Sequence, residues 1–472
     1  MTSIGTEQNP LRVAIVGSGP AGFYAAGQLL TAKDLHAEVE MFDKLATPWG
    51  LVRAGVAPDH PNIKAVTRVY EKTAKREGFR FHGNVEVGKD VSHEELAAHH
   101  HAVIYATGSP TDRRLGIPGE DLPGSHAATD FVGWYNGHPD YRDLEFDLTP
   151  RRAVVIGNGN VALDVARMLA LTHDELGKTD IADHALEALA ESGVEEIVVL
   201  GRRGPLQAAY TNPELKELGE MAAADVIVDP DEARLDPLSQ DEFDSGAIDK
   251  TSRVNVETVQ EYASRTPHGH PRRIVLRFLV SPVEILGDDR VTGVRVVRNR
   301  LEKSDDGRLV ARATDETEEV ECGIVLRSVG YRGEPFAGLP FDESRNTLNN
   351  EGGRITDPET GDPLPGVYTA GWIKRGPSGV IGTNKKCAQE TVSALLEDLA
   401  AGKLPDPSAE VDSLIEVLHE RHPDVVDYAG WQLIDQHERG LGEPAGRPRV
   451  KLTRAEELLD VAGSARLARA KK

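Results

Sequence analysis

A repeated local pattern constrains the fold of this chain more than any other feature. In two places a strand rich in Val and Ile runs into a glycine cluster and then into an Ala-rich helix: GSGPAG at 17–22 follows LRVAIV, and GNGNVA at 157–162 follows RAVVI. In such a turn the first glycine permits the bend, the second lets the backbone approach a pyrophosphate, and the third position allows close helix–strand packing. The repeat predicts an α/β fold with two Rossmann-like dinucleotide-binding domains.

Charged residues after the next strand of each copy indicate which dinucleotide binds there. Asp43 ends the strand EVEMF of the first copy, where a carboxylate accepts hydrogen bonds from ribose hydroxyls. The second copy instead has Arg202 and Arg203 after EEIVVL, and guanidinium groups at that place suit a 2'-phosphate, which predicts NADP(H). The alternative is that both arginines are ordinary solvated charges, because a helical insertion around 173–189 lengthens the spacing.

Two further strands suggest how the domains are connected. VIYATG at 103–108 and IVLRSVG at 324–330 each end in a glycine turn. Alone, each is equally well a buried strand before a turn, but beside the glycine clusters they fit the points where the chain leaves the first unit and returns. We therefore expect the NADP domain to be inserted within the FAD domain. The predicted boundaries are 1–110 and 331–400 for the FAD-binding domain, 111–330 for the NADP-binding domain, and 401–472 for a helical C-terminal tail.

Alternating apolar and polar residues follow the second glycine cluster at some distance. The segments RIVLRFLVSPVEI at 273–285 and RVTGVRVVRN at 290–299 both show this pattern, with a turn at 287–289 between them. We therefore expect an antiparallel extension of the second unit.

Composition excludes several kinds of partner. The formal net charge is -23, whereas binding to nucleic acid or to an anionic membrane requires a surface dominated by Lys and Arg. No apolar run approaches the ~20 residues that span a bilayer, and the start of the chain lacks the pattern of a secretory signal. The sequence therefore predicts a cytoplasmic protein with no nucleic-acid or membrane partner.

The cysteines and histidines do not form a recognisable metal or disulfide motif. Cys322 and Cys387 are far apart and outside any C-x-x-C pattern, so redox chemistry must come from a bound organic cofactor. Three consecutive histidines at 99–101 do not face a common ion easily, and a solvated surface run is the favoured interpretation. We predict no metal site.

Four longer motifs carry a family resemblance. They are TPWGLVRAGVAPDHP at 47–61, GNGNVALDVAR at 157–167, GRRGPLQAAYT at 201–211 and GWIKRGPSGVIGTNKK at 371–386. With them the chain, from about Leu11 to about Leu399, resembles the adrenodoxin-reductase-like ferredoxin-NADP reductases of bacterial type, which carry FAD and NADP on two Rossmann-like domains. Beyond about Ala401 the resemblance is weak.

The resemblance implies a set of cofactor contacts beside the cluster glycines Gly17, Gly19 and Gly22. For FAD the implied residues are Ala21, Asp43, Leu51, Val87, Trp372, Gly379, Val380 and Ile381. For NADP(H) they are Asn158, Gly159, Asn160, Val161, Arg202, Arg203, Glu214 and again Gly379. The family often has Glu in place of Asp43, and either carboxylate accepts from a ribose. His60 lies where the family places residues near the flavin and nicotinamide rings, and is the candidate catalytic residue, although a lone His is more often structural.

The function implied is an NADPH-dependent flavoprotein reductase, which transfers electrons between NADP(H), through FAD, and a ferredoxin-type iron–sulfur protein. Two alternatives stay open: a flavoprotein subunit of a larger redox enzyme, like the small subunit of glutamate synthase, and a non-catalytic nucleotide-sensing module. We expect a monomer or a weak homodimer.

An acidic ferredoxin requires a local basic surface on this acidic chain. Basic residues near the predicted antiparallel extension and near the flavin are the candidates for such a surface: Lys250, Arg253, Arg265, Arg272, Arg273, Lys374 and Arg375. The alternative is that they are ordinary solvated charges.

Overall fold

A computed structural model of the chain describes residues 3–246, 248–305 and 307–470. Its strands are, in chain order, β1 (Leu11–Val16), β2 (Ala37–Asp43), β3 (Phe79–Gly83), β4 (Ala102–Tyr105), β5 (Thr111–Asp112), β6 (Ser125–Ala127), β7 (Arg152–Ile156), β8 (Glu196–Gly201), β9 (Ala224–Val228), β10 (Arg272–Phe278), β11 (Val280–Leu286), β12 (Gly293–Lys303), β13 (Leu309–Glu321), β14 (Ile324–Arg327), β15 (Tyr331–Arg332), β16 (Phe341–Asp342), β17 (Thr347–Leu348), β18 (Asn350–Glu351), β19 (Arg354–Thr356) and β20 (Pro363–Thr369).

The helices are, in chain order, α1 (Pro20–Leu29), α2 (Leu51–Ala54), α3 (Pro61–Lys64), α4 (Thr67–Ala74), α5 (His93–His99), α6 (Ala128–Tyr135), α7 (Asn160–Ala170), α8 (His173–Leu176), α9 (Asp183–Ala190), α10 (Asn212–Leu218), α11 (Pro230–Ala233), α12 (Pro237–Asp244), α13 (Lys250–Ser264), α14 (Trp372–Arg375), α15 (Ile381–Ala400), α16 (Val411–Arg421), α17 (Tyr428–Gly442) and α18 (Ala455–Ala470). Short 3-10 helices lie at Pro139–Tyr141, Pro205–Gln207 and Glu443–Ala445.

Over the described ranges the chain divides into two compact units. Unit 1 consists of residues 1–56, 60–111 and 330–472, and unit 2 of residues 57–59 and 112–329. Unit 2 is therefore inserted in the sequence of unit 1.

The described residues of unit 1 form a seven-stranded sheet of order β18-β19-β20-β4-β1-β2-β3. Strand β1 pairs in parallel with β2 and β4, and β20 pairs in parallel with β4, whereas β18 and β19 form an antiparallel edge. Both faces are covered: Leu11, Val13 and Ile15 of β1 pack into one core, and Ala14 and Val16 pack into another. This continuous burial explains the run LRVAIV, because parallel strands with helices on both sides read as apolar throughout.

In the described part of unit 2, a six-stranded sheet has the order β6-β14-β7-β8-β10-β9, and all its pairings are parallel. Strands β11, β12 and β13 form a separate antiparallel sheet. The predicted fold class, two Rossmann-like α/β units with one inserted in the other, is confirmed.

The segment 273–285 differs from its prediction. Its first half is β10, a parallel strand of the Rossmann-type sheet, and only its second half, β11, pairs antiparallel with β12. Leu279 separates them with φ +56°, a left-handed backbone conformation that turns the chain from one sheet into the other. Alternation of apolar residues does not reveal such a break.

The prediction that the histidine run is solvated is wrong for two of its members. His100 and His101 are 1% and 2% exposed. The Nε2 atom of His100 lies 3.7 Å from a carboxylate oxygen of buried Glu40, and that of His82 lies 3.6 Å from the same oxygen. Burial opposes the charge of Glu40, but both imidazoles more than offset it and hold its pKa well below the usual range.

Residues 401–470, for which we predicted a helical C-terminal tail, contain α16, α17 and α18 and are part of unit 1. Trp431, Ile434 and Leu458 are buried in the same core as β1. No helix in the described parts of the chain combines the length and apolar composition that a bilayer crossing requires.

Candidate dinucleotide sites

The first glycine cluster joins β1 to α1, and each of its glycines has a different reason to lack a side chain. Gly17 has φ +105°, and a β-carbon there would lie 2.5 Å from the carbonyl oxygen of Ala106. A β-carbon at Gly22 would lie 2.1 Å from the carbonyl oxygen of Gly17. Gly19 has φ -77°, which any residue adopts, and no atom of the chain lies within 4 Å of its would-be β-carbon. The chain itself does not require glycine at 19, whereas an approaching pyrophosphate does.

Asp43 is fixed at the end of β2 by the glycine cluster itself. The backbone N–H and the hydroxyl of Ser18 both donate to Asp43 Oδ2, at 2.9 and 2.5 Å, and the N–H of Leu45 donates to Oδ1 at 2.9 Å. Burial raises the pKa of Asp43, and these hydrogen bonds offset only part of that effect. Ribose hydroxyls that donate to this carboxylate would stabilise its charged form. The sequence analysis did not identify Ser18 as a residue that positions Asp43. Its place inside the glycine cluster is the feature that could have indicated this role.

The loop of the motif TPWG packs directly on the first cluster. Trp49 has φ +86°, and its N–H donates to the carbonyl oxygen of Ser18 at 3.1 Å. A β-carbon at Gly50 would lie 2.9 Å from the α-carbon of Gly19. Leu51 follows at the start of α2 and is 39% exposed, an unusual state for a large apolar side chain, which an apolar ring would cover. Val87, in contrast, is buried.

The segment from Gly371 to Ile381 supplies the remaining predicted FAD contacts. Gly371 has φ +82°, and a β-carbon there would lie 2.7 Å from the β-carbon of Ala21, so α14 begins against the first turn of α1. The ring of Trp372, which follows, packs on Tyr331 with 5.1 Å between ring centroids. The structure thus brings Ala21 and Trp372 to neighbouring positions.

Gly379 and Val380 precede helix α15, which starts at Ile381. Gly379 has φ +78° and Val380 is 55% exposed, a second large apolar side chain that the protein leaves uncovered. The open space at Gly19, the exposed Leu51 and Val380, and the acceptor Asp43 fit a dinucleotide with a flat aromatic ring, as FAD is.

The second cluster, between β7 and α7, repeats the geometry of the first. Gly157 has φ +125°, and a β-carbon there would lie 2.1 Å from the carbonyl oxygen of Ser328. Gly159 has φ -99° and open space beside it. The side-chain nitrogen of Asn158 is buried and has no hydrogen-bond partner among the described residues, and Asn160 Oδ1 accepts from the N–H of Thr211 at 2.8 Å. Val161 packs against the core. These features fit a second pyrophosphate.

Arg202 and Arg203 follow β8 directly. Arg202 is exposed and Arg203 half-buried, and within the described ranges neither guanidinium has an ion pair or a hydrogen bond. Burial and the neighbouring Arg202 both lower the pKa of Arg203. The backbone is held in place, because Asn299 donates to the carbonyl oxygen of Arg202 at 2.9 Å. A pair of guanidinium groups with no acidic partner fits a phosphate dianion.

Glu214 is a buried member of an ion-pair network in unit 2. Arg167 lies 3.4 Å from Glu214, 2.7 Å from Asp164 and 2.6 Å from Asp59. Burial opposes the charge of Arg167, and these acidic neighbours hold its pKa above the usual value. Glu214 as an NADP(H) contact stays a prediction.

His60 caps α3 in unit 1 and is 7% exposed. Its carbonyl oxygen accepts from the N–H of Lys64 at 3.2 Å. Its catalytic role also stays a prediction.

The cysteines of the structure do not form a redox pair. Cys322 and Cys387 are free and buried, and they lie in different units. Burial raises the pKa of Cys322 to about 12, and Cys387 Sγ accepts from the N–H of Gly371 at 3.2 Å. Reactive cysteines are partly exposed, in electropositive surroundings, so the burial of both thiols argues against a reaction at either one.

Two of the five candidate docking cations in unit 2 are paired with carboxylates, Arg273 with Glu196 and Arg265 with Glu261. A third, Arg272, donates to the carbonyl oxygen of Leu171 at 2.7 Å. In unit 1, buried Lys374 pairs with Glu390 at 2.6 Å. Structural contacts therefore hold these four of the seven candidate residues in place.

Comparisons with known proteins agree with the two-site geometry. Residues 11–203 match the family described as pyridine nucleotide-disulphide oxidoreductase. The chain is 51% identical over 461 residues to the NADPH-ferredoxin reductase FprA of Mycobacterium tuberculosis, covering 96% of this chain and 99% of that protein. It is 41% identical over 473 residues to the mitochondrial NADPH:adrenodoxin oxidoreductase of Arabidopsis thaliana, covering 97% and 96%.

Among solved structures, FprA from Mycobacterium tuberculosis in complex with NADPH matches with a TM-score of 0.91 and 50% identity, covering 96% of this chain and 100% of that chain. These matches confirm the resemblance that the four motifs predict. The chain belongs to the family of NADPH-ferredoxin reductases that includes FprA.

Proposed function

We propose that this chain is an NADPH-dependent flavoprotein reductase that transfers electrons between NADP(H), through FAD, and a ferredoxin-type iron–sulfur protein. The observation that carries the proposal is the presence of two separate pyrophosphate cradles, at Gly19 and Gly159, each open at the position where a side chain would block a phosphate. The names of the relatives, NADPH-ferredoxin reductase and NADPH:adrenodoxin oxidoreductase, support the same function.

Unit 1 would hold FAD. Gly19 and the first turn of α1 would bind the pyrophosphate, Asp43 the ribose hydroxyls, and the exposed side chains of Leu51 and Val380 the flat ring. FAD, when bound, accepts a hydride and releases single electrons. It can therefore connect a nicotinamide, which exchanges two electrons as a hydride, with an iron–sulfur cluster, which exchanges one electron at a time. The residues of the chain orient the ring and shield it from water.

Unit 2 would hold NADP(H). Gly159 and the first turn of α7 would bind the pyrophosphate, with Asn158 and Asn160 beside it, and Arg202 and Arg203 would select the 2'-phosphate. Hydride transfer depends on close alignment of two rings and needs no protein acid or base. We therefore keep His60 as the candidate for a proton-holding role beside the flavin, and we expect His60→Gln to lower the maximal rate of flavin reduction only slightly.

Stopped-flow mixing of the purified yellow protein with NADPH tests the proposal. We expect rapid loss of flavin absorbance with NADPH, slow loss with NADH, and then electron transfer to an acidic ferredoxin, followed by reduction of cytochrome c. A flavin that NADPH does not bleach would indicate the nucleotide-sensing module. Bleaching without transfer to any ferredoxin would favour a subunit of a larger redox enzyme.

We further propose that the enzyme works in the cytoplasm, without a metal ion, as a monomer or weak homodimer. Light scattering over a range of protein concentrations and metal analysis of the purified holoenzyme test the last two statements.

A further inference from the structure

An exposed basic surface lies on unit 1, on the helices that flank α1. Within the sequence 64–77, basic residues outnumber acidic ones by five to two, although the whole chain carries -23. The exposed members on and just after α4 are Arg68, Lys72, Lys75 and Arg76. Arg68, Lys72 and Arg76 recur every four residues, which places them on one side of the segment, opposite the buried Tyr70 and Ala74.

Helix α15 adds two more exposed cations, Lys385 and Lys386. Consecutive residues of α1 contact the helices on its two sides: a β-carbon at Gly27 would lie 3.0 Å from Thr73 Oγ1 of α4, and Gln28 donates to the carbonyl oxygen of Lys385 at 3.4 Å. Helix α1 thus lies between α4 and α15. Because the axes of packed helices are about 8–10 Å apart, the axes of α4 and α15 lie within roughly 20 Å of each other.

These cations are not neutralised by the chain. Within the described residues, none of Arg68, Lys72, Lys75, Arg76, Lys385 and Lys386 forms a side-chain ion pair. Helix α1 between them carries no charged residue, and residues 381–389 of α15 carry no acidic one. The acidic residues of the segment 64–77 are the half-buried Glu71 and the exposed Glu77. We call the six cations the α4–α15 basic face.

The location of this face fits an electron-transfer partner. Helix α1 starts at the first glycine cluster, and α15 starts at Ile381, so both helices begin at the predicted FAD site. Val69, 49% exposed, adds an apolar side chain among the cations, as the contact core of a docking surface requires. A span of roughly 20 Å lies within a footprint of about 800 Å² on one partner.

We propose that the α4–α15 basic face docks the acidic ferredoxin; this rests on the proposed function. Two proteins of net negative charge repel at long range, and productive encounter requires a positive field that survives within a Debye length of about 8 Å at physiological salt. Six cations without ion-pair partners, on and just after the two helices that flank α1, supply that field. In unit 2, by contrast, Arg265 and Arg273 are paired with carboxylates.

The test uses the holoenzyme with three substitutions, Arg68→Glu, Lys72→Glu and Arg76→Glu, and a second variant with Lys385→Glu and Lys386→Glu. We expect each variant to lower kcat/KM for an acidic ferredoxin by about tenfold or more at low ionic strength, and to flatten its salt dependence. NADPH-driven reduction of ferricyanide should stay at the wild-type rate.

A matched control reverses three exposed cations elsewhere, Lys178→Glu, Lys303→Glu and Arg345→Glu, and changes the net charge by the same amount as the triple variant. Wild-type ferredoxin kinetics in both test variants, or an equal loss in the control, would overturn the docking assignment. The docking assignment would also be overturned if the test variants bound phosphatidylserine vesicles more weakly than the wild type but reduced ferredoxin at the wild-type rate. If the wild-type enzyme itself fails to reduce ferredoxin, the proposed function fails instead.

Discussion

Arg53 donates two hydrogen bonds to Glu438, at 2.8 and 2.5 Å, across 385 positions of sequence. The carboxylate is completely buried and also accepts from Arg449 at 3.0 Å and from the N–H of Leu452 at 2.9 Å. Arg53 belongs to α2, two residues after the predicted FAD contact Leu51. The C-terminal helices therefore hold the loop on which the flavin is expected to rest.

Replacement of Glu438 by Ala should destabilise unit 1 strongly. It removes the buried carboxylate that pairs with Arg53 and Arg449, and breaking a buried ion pair costs about 3–5 kcal/mol in other proteins. Urea unfolding of the apoprotein measures the loss, and FAD should dissociate more readily from the variant. The exposed pair Arg265–Glu261 is the control: Glu261→Ala should leave the unfolding midpoint almost unchanged, and an equal effect at both sites would contradict the bracing role.

Acid should remove the contribution of Glu438. Burial alone would raise its pKa, but Arg53 and Arg449 more than offset burial and lower it. An unfolded Glu has a pKa of about 4.3, so the ion pair stabilises the fold fully above that pH and loses its effect as pH falls toward the lower folded value. Between pH 5 and 3, Glu438→Gln should therefore show a shallower loss of stability than the wild type, measured by urea titrations at each pH. Parallel curves would rule out this linkage.

The glycines of the first cluster should respond to substitution in opposite ways. Gly19→Val should fold normally but purify without flavin, because its side chain enters space that only the pyrophosphate uses. Gly22→Ala should impair folding itself, since its β-carbon would meet the carbonyl oxygen of Gly17 at 2.1 Å. Circular dichroism and the visible spectrum separate the outcomes, and a fully yellow Gly19→Val protein would move the FAD elsewhere.

Removal of both Arg202 and Arg203 should change the choice of nicotinamide. Charge-assisted contacts to a phosphate are worth roughly 1.5–3 kcal/mol each, so the double Ala variant should lose NADPH affinity on the order of a hundredfold or more. Affinity for NADH, which lacks the 2'-phosphate, serves as the internal control. Equal losses for the two cofactors would refute the assignment.

Asp43→Asn should weaken the binding of FAD without lowering the stability of the apoprotein. The raised pKa of Asp43 means that its charge is unfavourable until donors arrive, so neutralising it costs the empty protein little. Titration of apoprotein with FAD should give about tenfold weaker binding, the size of one hydrogen bond to a charged group. Unchanged FAD affinity would show that this carboxylate does not contact the ribose.

Local patterns predicted the two cradles because each depends on neighbouring residues: a strand, a turn and a helix within about 20 positions. Gly17 and Gly157 have the positive φ that the pattern requires, Asp43 ends β2, and Arg202 directly follows β8, as expected. Gly19 and Gly159 are informative in a different way. Their backbone angles are ones that any residue adopts, so space for a ligand, and not the backbone, explains why glycine is present there.

Long-range contacts were beyond the sequence. His100 is buried because it meets Glu40, which is 60 positions earlier, and Arg273 is neutralised by Glu196, 77 positions earlier. The break at Leu279 was hidden because β10, although parallel, alternates between buried and more exposed residues as an antiparallel strand does. The proposed docking surface lies on unit 1 and not on unit 2, because two of the arginines that cluster in the unit 2 sequence are paired with carboxylates.

The insertion of unit 2 has a consequence for how the ribosome delivers this protein. All strands of the six-stranded sheet emerge in one stretch, residues 112–329, so that sheet can close during translation. In unit 1, in contrast, β4 pairs with β20 and Arg53 pairs with Glu438. Neither pairing can form before these later residues have been synthesised. Unit 1 is therefore the first to be synthesised and the last to complete its fold. Until its final helices leave the exit tunnel, its incomplete apolar sheet is exposed to aggregation.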